Sequence, residues 1–497
     1  MAKKIIHGRE HEQSQIQRFL ELSAPGLTFV RGRRRIGKSA LLTHLAAKVP
    51  NAFYFMGAVD ESPRQAQSRF ARDWDKFAGT TLSKIRVREL TWDMIFQAVE
   101  GHAKQSQTAP LLLMIDEIQW IAKGGSGFCG RIKEHWLAWK TSGFIKVLIA
   151  GSSTRFFQEH VDGAESILYG LSTFAHIWIK PFTPAEVRQF FFPYWSKEQV
   201  SLIYMMFGGV PFYLEDMANS GDENFMRVVN QYVFTKDSKF IAEVDKILRM
   251  EAYSTRSMET MKTLLRALGQ DGATEGAVVT KTGFKQPMVN RILAHLVEYG
   301  LIKARPQVGR KLDTRYYMDD FFLNFYFQVL EPMKDKIEGN QRGFIFPLEV
   351  VESDSGFYIA DFSGKAFELL AINLLAIGKG SPELRGASIF KKLRLAHDAS
   401  YTVGSFWESK GQQRTQIDIV VECSADREAR LVECKWIGSP ANSMSGYDNE
   451  IEQKKYPAPN KDWTVKHFLL LSRGATLGFA DSCRSKGIEI LTNEDLY

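Results

Sequence analysis

Eight residues near the start of the chain restrict its fold more than any other feature. Gly32-Arg-Arg-Arg-Ile-Gly37-Lys38-Ser39 has the spacing G-x-x-x-x-G-K-[ST]. An apolar run, Gly26-Leu-Thr-Phe-Val30, precedes it and reads as a strand. Ser39 to Lys48 follows it and reads as a helix stopped at Val49-Pro50. A strand, a glycine-rich turn and a helix N-terminus together form a cradle for phosphate. The glycines, Gly32 and Gly37, let backbone N–H groups turn inward, and the helix dipole adds positive potential. In such a cradle Lys38 reaches the β- and γ-phosphates, and the Ser39 hydroxyl takes a place on Mg²⁺.

The rest of the first 180 residues repeats the alternation. Phe53–Met56, Pro110–Ile115 and Ile145–Ala150 are apolar strand-like runs separated by amphipathic helical stretches. That pattern predicts a parallel α/β sheet covered on both faces. The run Leu111-Leu-Leu-Met-Ile115 ends in Asp116-Glu117, at the strand end where α/β folds bind ligands. Asp116 suits the Mg²⁺ shell, and Glu117 suits polarising an attacking water. The next strand ends in Gly151-Ser152-Ser153-Thr154-Arg155. Ser152 and Ser153 could sense a γ-phosphate there, and Arg155 could offer charge to a transition state. Arg33, Arg34 and Arg35 fill the variable loop positions, which usually face solvent.

With 497 residues, the chain has room for three or four domains. An apolar content of 44% and a charged content of 24% exclude a mainly disordered chain. No apolar run approaches the roughly 18 residues that span a bilayer, and Met-Ala-Lys-Lys-Ile-Ile-His is no secretory leader. The 4 cysteines are scattered without a Cys-x-x-Cys pair, which fits a reducing cytoplasmic setting and not a zinc site. The expected domains are 1–180 (phosphate-loop core), 181–252 (helical lid, opened by the capping box Thr183-Pro-Ala-Glu186), 253–335 and 340–497.

Taken together, Gly8-Arg9-Glu10, the phosphate loop, Ile-Asp-Glu, Gly-Ser-Ser and Gly208-Gly209-Val-Pro211 resemble the archaeal-type P-loop ATPases, in the STAND branch of AAA-related ATPases. The resemblance implies ATP and Mg²⁺ as cofactors, a nucleotide switch with slow hydrolysis, and ATP-dependent homo-oligomerisation. It places Arg9 and Glu10 near the adenine and Pro211 in the lid. The sequence departs from the family pattern at Thr154-Arg155, which leaves the arginine sensor unassigned.

Residues 258–315 read as helix, turn, helix and basic hairpin, and resemble a winged helix-turn-helix. The stretch carries ten Lys/Arg and five Asp/Glu, so much of the chain's formal charge of +7 sits here. Lys285, Gln286, Asn290 and Arg291 would form a recognition face for DNA, with Arg305, Arg310, Lys311 and Arg315 on the wing. The competing reading is an interdomain packing module. The aromatic cluster Phe321, Phe322, Phe325, Tyr326 and Phe327 reads as core.

The last block carries a second chemistry. Asp418 lies in the alternating strand Gln416–Val421, and Glu433-Cys-Lys435 lies in a second strand that a hairpin can set beside it. Alternation puts Glu433 and Lys435 on one face and Cys434 on the other. Two close carboxylates can hold Mg²⁺ or Mn²⁺, and a nearby lysine can orient water or stabilise a pentavalent phosphate. This resembles the D…E-x-K motif of restriction-endonuclease-like (PD-(D/E)XK) nucleases. Glu368, in Gly364-Lys-Ala-Phe-Glu368, would then be the third metal carboxylate, and Gln453 a further polar partner. The whole reads as an ATP-regulated DNA nuclease. The alternatives are an ATP-switched scaffold with an inert nuclease-like domain, or a transcriptional regulator.

Overall fold

The computed structural model describes residues 8–105, 109–123, 127–142, 145–251, 255–308, 314–339, 359–380, 386–395, 401–410 and 413–497. They form two compact units: Met1–Pro181 with Val210–Phe212, and Phe182–Gly209 with Tyr213–Tyr497.

The first unit is built on β1 (Gly26–Arg31), β2 (Ala52–Met56), β3 (Leu111–Asp116), β4 (Ile145–Gly151) and β5 (Ile177–Trp178). All pairings are parallel, in the order β2-β3-β4-β1-β5. β1, β3 and β4 are buried along their whole length, as apolar strands covered on both faces must be. Much of the cover is aromatic. Phe70 and Trp74 of the helix Pro63–Ala78 pack with Phe53, and Trp92, Phe96 and Trp139 complete the cluster. Burying each such ring contributes about 1.5–3 kcal/mol or more. The helix itself starts where its sequence says it should: Ser62 and Gln65 form a reciprocal capping box, and Pro63 occupies the first turn.

In the second unit the capping box at Thr183 is present: the Thr183 N–H donates to the Glu186 carboxylate at 2.7 Å, and the Glu186 N–H donates to Oγ1 at 3.3 Å. Gly209 accepts from the Phe182 N–H at 2.8 Å. A Cβ on Gly209 would lie 1.8 Å from the Phe182 carbonyl oxygen, so only glycine fits. Three helices, Thr255–Leu268, Glu275–Thr282 and Gln286–Glu298, precede the antiparallel pair β6 (Lys303–Pro306) and β7 (Thr314–Tyr317). Val289, Ile292, Leu293 and Leu296 form the buried stripe of the third helix. The aromatic cluster at 321–327 is buried as expected, with Phe321 against Tyr204 and Phe325 against Phe207 of the helix Lys197–Phe207.

A mixed sheet follows: β8 (Tyr401–Lys410), β9 (Gln413–Cys423), β10 (Glu428–Lys435), β11 (Thr464–Leu471) and β12 (Ile488–Thr492), in the order β12-β11-β10-β9-β8. The first three strands are an antiparallel meander, and β10-β11-β12 are parallel. The helix Ile359–Gly380 packs on β8, β9 and β10. The basic hairpin does not stand free of this sheet. Arg305 donates to Asn373 Oδ1 at 2.9 Å, the Val308 N–H donates to the Ser405 carbonyl at 3.3 Å, and the Arg315 guanidinium lies 4.4 Å from the Trp407 ring centroid. Among the described residues, no helix is long and apolar enough to cross a membrane.

Candidate functional site

β1 ends at the phosphate loop, and Gly37, at φ 98°, turns the chain into the helix Lys38–Lys48. That left-handed φ is open to glycine at no steric cost. Lys38 is buried, and its ammonium donates to the carbonyls of Gly32 at 2.8 Å and Arg33 at 3.0 Å. Burial lowers its pKa against the opposing charges of Glu117 and Asp116. The lysine is thus parked across its own loop.

Asp116 is fully buried. Its carboxylate accepts from the Tyr54 hydroxyl and from the Glu117 N–H, each at 2.8 Å. Burial raises its pKa; a hydrogen bond from Ser39 opposes the rise, and Glu117's charge adds to it. Ser39, the other group expected on Mg²⁺, is thus among the groups that act on Asp116. Glu117 has a left-handed backbone (φ 50°), and its carboxylate accepts from the Ser152 hydroxyl at 2.8 Å and from the Gln119 amide. Because β4 lies between β1 and β3, Ser152 is delivered between the loop and the acidic pair.

The other expected site residues have these partners in the chain. Ser153 caps the helix Thr154–Phe157, its hydroxyl accepting from the Phe156 N–H at 3.2 Å. Arg155 pairs with Glu159 at 2.8 Å. Arg9 is buried, donates to the loop carbonyl of Ile36 at 3.1 Å and to Lys180, and pairs with Glu12. It braces the loop. Glu10 is exposed at the start of the helix Glu10–Leu20, where its charge suits the helix dipole. Pro211 lies 3.9 Å from the Cβ position built on Gly37, and Arg35 stacks on Phe212 at 3.8 Å. The segment Val210–Phe212 thus sits on the loop. Tyr54 and Gln119 escaped the sequence reading. Nothing in the sequence says that β2 lies beside β3, so Tyr54 could not be set next to Asp116.

In the second unit, Glu368, Asp418, Glu433 and Lys435 come together in a cleft of about 690 Å³. Asp418 is buried on β9 and accepts from the Cys434 N–H at 2.9 Å across the hairpin. Glu433 is 3% exposed, and its Oε2 has no hydrogen-bond partner. Burial and the charge of Asp418 push the Glu368 and Glu433 carboxyls well above the usual carboxylate range. Crowded, desolvated carboxylates with a spare oxygen are a donor set that fits a hard divalent cation. Yet among the described residues no three His, Cys, Asp or Glu side chains form a ready-made cage. Lysines stand there instead. Lys365 is 2.9 Å from Glu368, Lys454 is 2.5 Å from Glu433, and Lys435 bridges Glu433 at 3.2 Å and Glu450 at 2.9 Å. Gln453 is exposed, and its neighbour Lys454 is the residue that reaches the cleft. Lys365 sits one turn before Glu368, a spacing visible in the sequence; Lys454 has no such signal.

Residues 7–217 match the family described as an ATPase domain predominantly from Archaea. This part of the chain matches an archaeal-type ATPase domain. An ATPase domain of this kind binds nucleotide, usually with Mg²⁺. The chain is also 25% identical over 435 residues to the uncharacterized protein MJECL04 of Methanocaldococcus jannaschii, covering 86% of this chain and 87% of that one. Among solved structures, the Walker-type ATPase PABY2304 of Pyrococcus abyssi is similar at 17% identity and a TM-score of 0.47, covering 65% of this chain and 96% of that one. A RuvB mutant of Thermotoga maritima is similar at 11% identity and a TM-score of 0.32, covering 60% and 90%.

Beyond the ATPase domain, Lys285, Gln286, Asn290 and Arg291 are exposed at the start of the helix Gln286–Glu298, and Gln286 donates to Glu275 at 2.6 Å. Arg310 and Lys311 lie outside the described residues. Arg305 and Arg315, expected to touch phosphates, instead pack on Asp319, Asn373 and Trp407. The competing sequence reading, a packing module, accounts for that side of the hairpin.

Proposed function

We propose that the protein is an ATP-switched nuclease, in which Mg-ATP on the N-terminal domain regulates metal-dependent cleavage of DNA by the C-terminal domain. The observation that carries the nuclease half is the cleft itself: three acidic residues from one helix and two strands, Asp418 and Glu433 buried and Glu368 half-buried, one of them with an unpartnered oxygen, beside Lys435. The C-terminal sheet would be a restriction-endonuclease-like domain, and the three helices with β6–β7 a winged helix. Lys285, Asn290 and Arg291 are its exposed DNA candidates.

At the loop, Lys38 would leave its two carbonyls for the β- and γ-phosphates. Ser39 and Asp116 would hold Mg²⁺, which supplies charge neutralisation between the phosphates. Glu117, fixed by Ser152 and Gln119, would orient and deprotonate the attacking water. In the cleft, Glu368, Asp418 and Glu433 would hold Mg²⁺ or Mn²⁺, which supplies Lewis acidity at the scissile phosphate. Lys435, anchored by Glu450, would face the developing charge. The scaffold reading has one observation in its favour: the lysines already neutralise much of the cleft.

The test is cleavage of supercoiled and linear DNA with Mg²⁺ or Mn²⁺, with and without ATP. Metal-dependent nicking that Glu433→Ala abolishes supports the reading, and a changed rate in Lys38→Ala shows the ATP control. An absence of cleavage with ATP still bound favours the scaffold.

A further inference from the structure

The cleft contains more positive charge than a metal site needs. Glu368, Glu433 and Glu450 are paired with Lys365, Lys435 and Lys454, while Asp418 is held by the Cys434 N–H. The three lysines are not equivalent. Lys435 has a close second partner in Glu450 at 2.9 Å. Lys454 has Glu433 at 2.5 Å and only a longer contact to Glu450 at 3.4 Å. Lys365 has Glu368 at 2.9 Å and, on its outer side, Asp271 at 3.3 Å. Both Lys365 and Lys454 therefore sit on the carboxylates that a divalent cation would claim.

We propose that Lys365 and Lys454 are phosphate-binding residues that the carboxylates hold in reserve, so that a divalent cation and a nucleic-acid phosphodiester bind the cleft cooperatively. The inference rests on the nuclease reading and specifies its order of binding. A cation among Glu368, Asp418 and Glu433 takes the oxygen lone pairs that now serve the two ammonium groups, and repels both. Each lysine has a flexible four-carbon stem, so its head can swing away without moving the backbone. Glu433 Oε2 needs no such exchange: it is buried and already without a hydrogen-bond partner. Once displaced, the two ammonium groups flank the cation from different elements, Lys365 from the helix Ile359–Gly380 and Lys454 from just beyond the helix Tyr447–Glu452. A phosphate bridging that space meets a cation and two lysines that no longer have their carboxylates. Without the metal, the same phosphate meets carboxylates and is repelled. The ligand is the charged phosphodiester, recognised independently of base.

The experiment uses the full chain and two binding readouts that need no turnover. Mn²⁺ binding is followed by calorimetry, and binding of a fluorescent single-stranded phosphodiester oligonucleotide by anisotropy, with Ca²⁺ as a second metal. Lys365→Met and Lys454→Met should each bind Mn²⁺ about three- to tenfold more tightly, because a competitor is gone. Their metal-induced gain in oligonucleotide affinity should fall about tenfold, and Lys454→Arg should restore most of it. An uncharged methylphosphonate oligonucleotide should show no metal-induced gain even with the wild type. Should a methionine variant fail to fold by thermal melting, Lys454→Gln takes its place. Lysine variants that bind Mn²⁺ no more tightly than the wild type, or keep the full metal-induced gain, overturn the inference. The nuclease reading then still stands if Glu433→Gln removes the Mn²⁺ site. If Glu433→Gln leaves Mn²⁺ binding unchanged, the metal reading itself fails.

Discussion

The phosphate loop and the acidic cleft use the same ingredients, carboxylates and lysines, in opposite arrangements. In the loop the cation is parked on backbone carbonyls, and the carboxylates are satisfied by hydroxyls and N–H groups: Lys38 on Gly32 and Arg33, Asp116 by Tyr54. In the cleft the cations are parked on the carboxylates themselves. Carbonyls let go of an ammonium at modest cost, so the loop is ready for an anion with Lys38 moving a short way. Carboxylates hold an ammonium more tightly, because both partners carry charge. The loop is therefore organised for its ligand in advance, whereas the cleft must exchange one set of cations for another.

Five substitutions separate these two designs. The largest effect is expected from Lys38→Ala, which should lower ATP hydrolysis by about 10²–10³-fold, since it removes a preorganised donor to the transition state. A steady-state phosphate-release assay reads it. Asp418→Asn keeps an acceptor for the Cys434 N–H and removes the charge. It should reduce DNA nicking about a hundredfold, with the melting temperature nearly unchanged. Tyr54→Phe deletes one donor to Asp116. Its ATP hydrolysis should need about three- to tenfold more Mg²⁺ for half-maximal rate, as loss of a group orienting a metal ligand usually costs that much or more. The smallest effect belongs to Ser153→Ala. Loss of a helix cap should cost about 1 kcal/mol of stability, measured by urea unfolding, and leave hydrolysis unaltered. Ser152→Ala, which removes one of the two donors to Glu117, should slow hydrolysis, and equal effects in the two serine variants would contradict their different placements.

The loop was legible because its parts are contiguous. Gly32 to Ser39 carries the cradle, and the apolar runs of β1, β3 and β4 announce the buried sheet that aims it. Asp116 and Glu117 followed from their place at a strand end. The different partners of Ser152 and Ser153, Glu117 for one and a helix N-terminus for the other, were not legible, because only the backbone decides which of two adjacent serines takes the cap. In the cleft, Asp418 and Glu433 could be paired because a short hairpin joins them, and the alternation of β10 put Cys434 on the opposite face. Lys454 was hidden, since its approach to Glu433 depends on how the helix Tyr447–Glu452 crosses the sheet. The hairpin β6–β7 shows a limit of another kind. A run of arginines reads as a surface for phosphate, yet Arg305 and Arg315 are used to join modules, one by an ion pair and an amide, the other by stacking on an indole.

The strand order of the C-terminal sheet also has a kinetic side. β8, β9 and β10 follow one another in sequence and pair antiparallel, so their contacts close short loops, whereas β11 and β12 pair parallel and need longer crossovers. Short loops close faster and at less entropic cost. Asp418 and Glu433 should thus meet early on the folding pathway, before the helix Ile359–Gly380 docks with Glu368. A nascent hairpin that brings two anions together needs a counter-charge of its own, and Lys435, two residues from Glu433 on the same strand face, is the one that arrives with it.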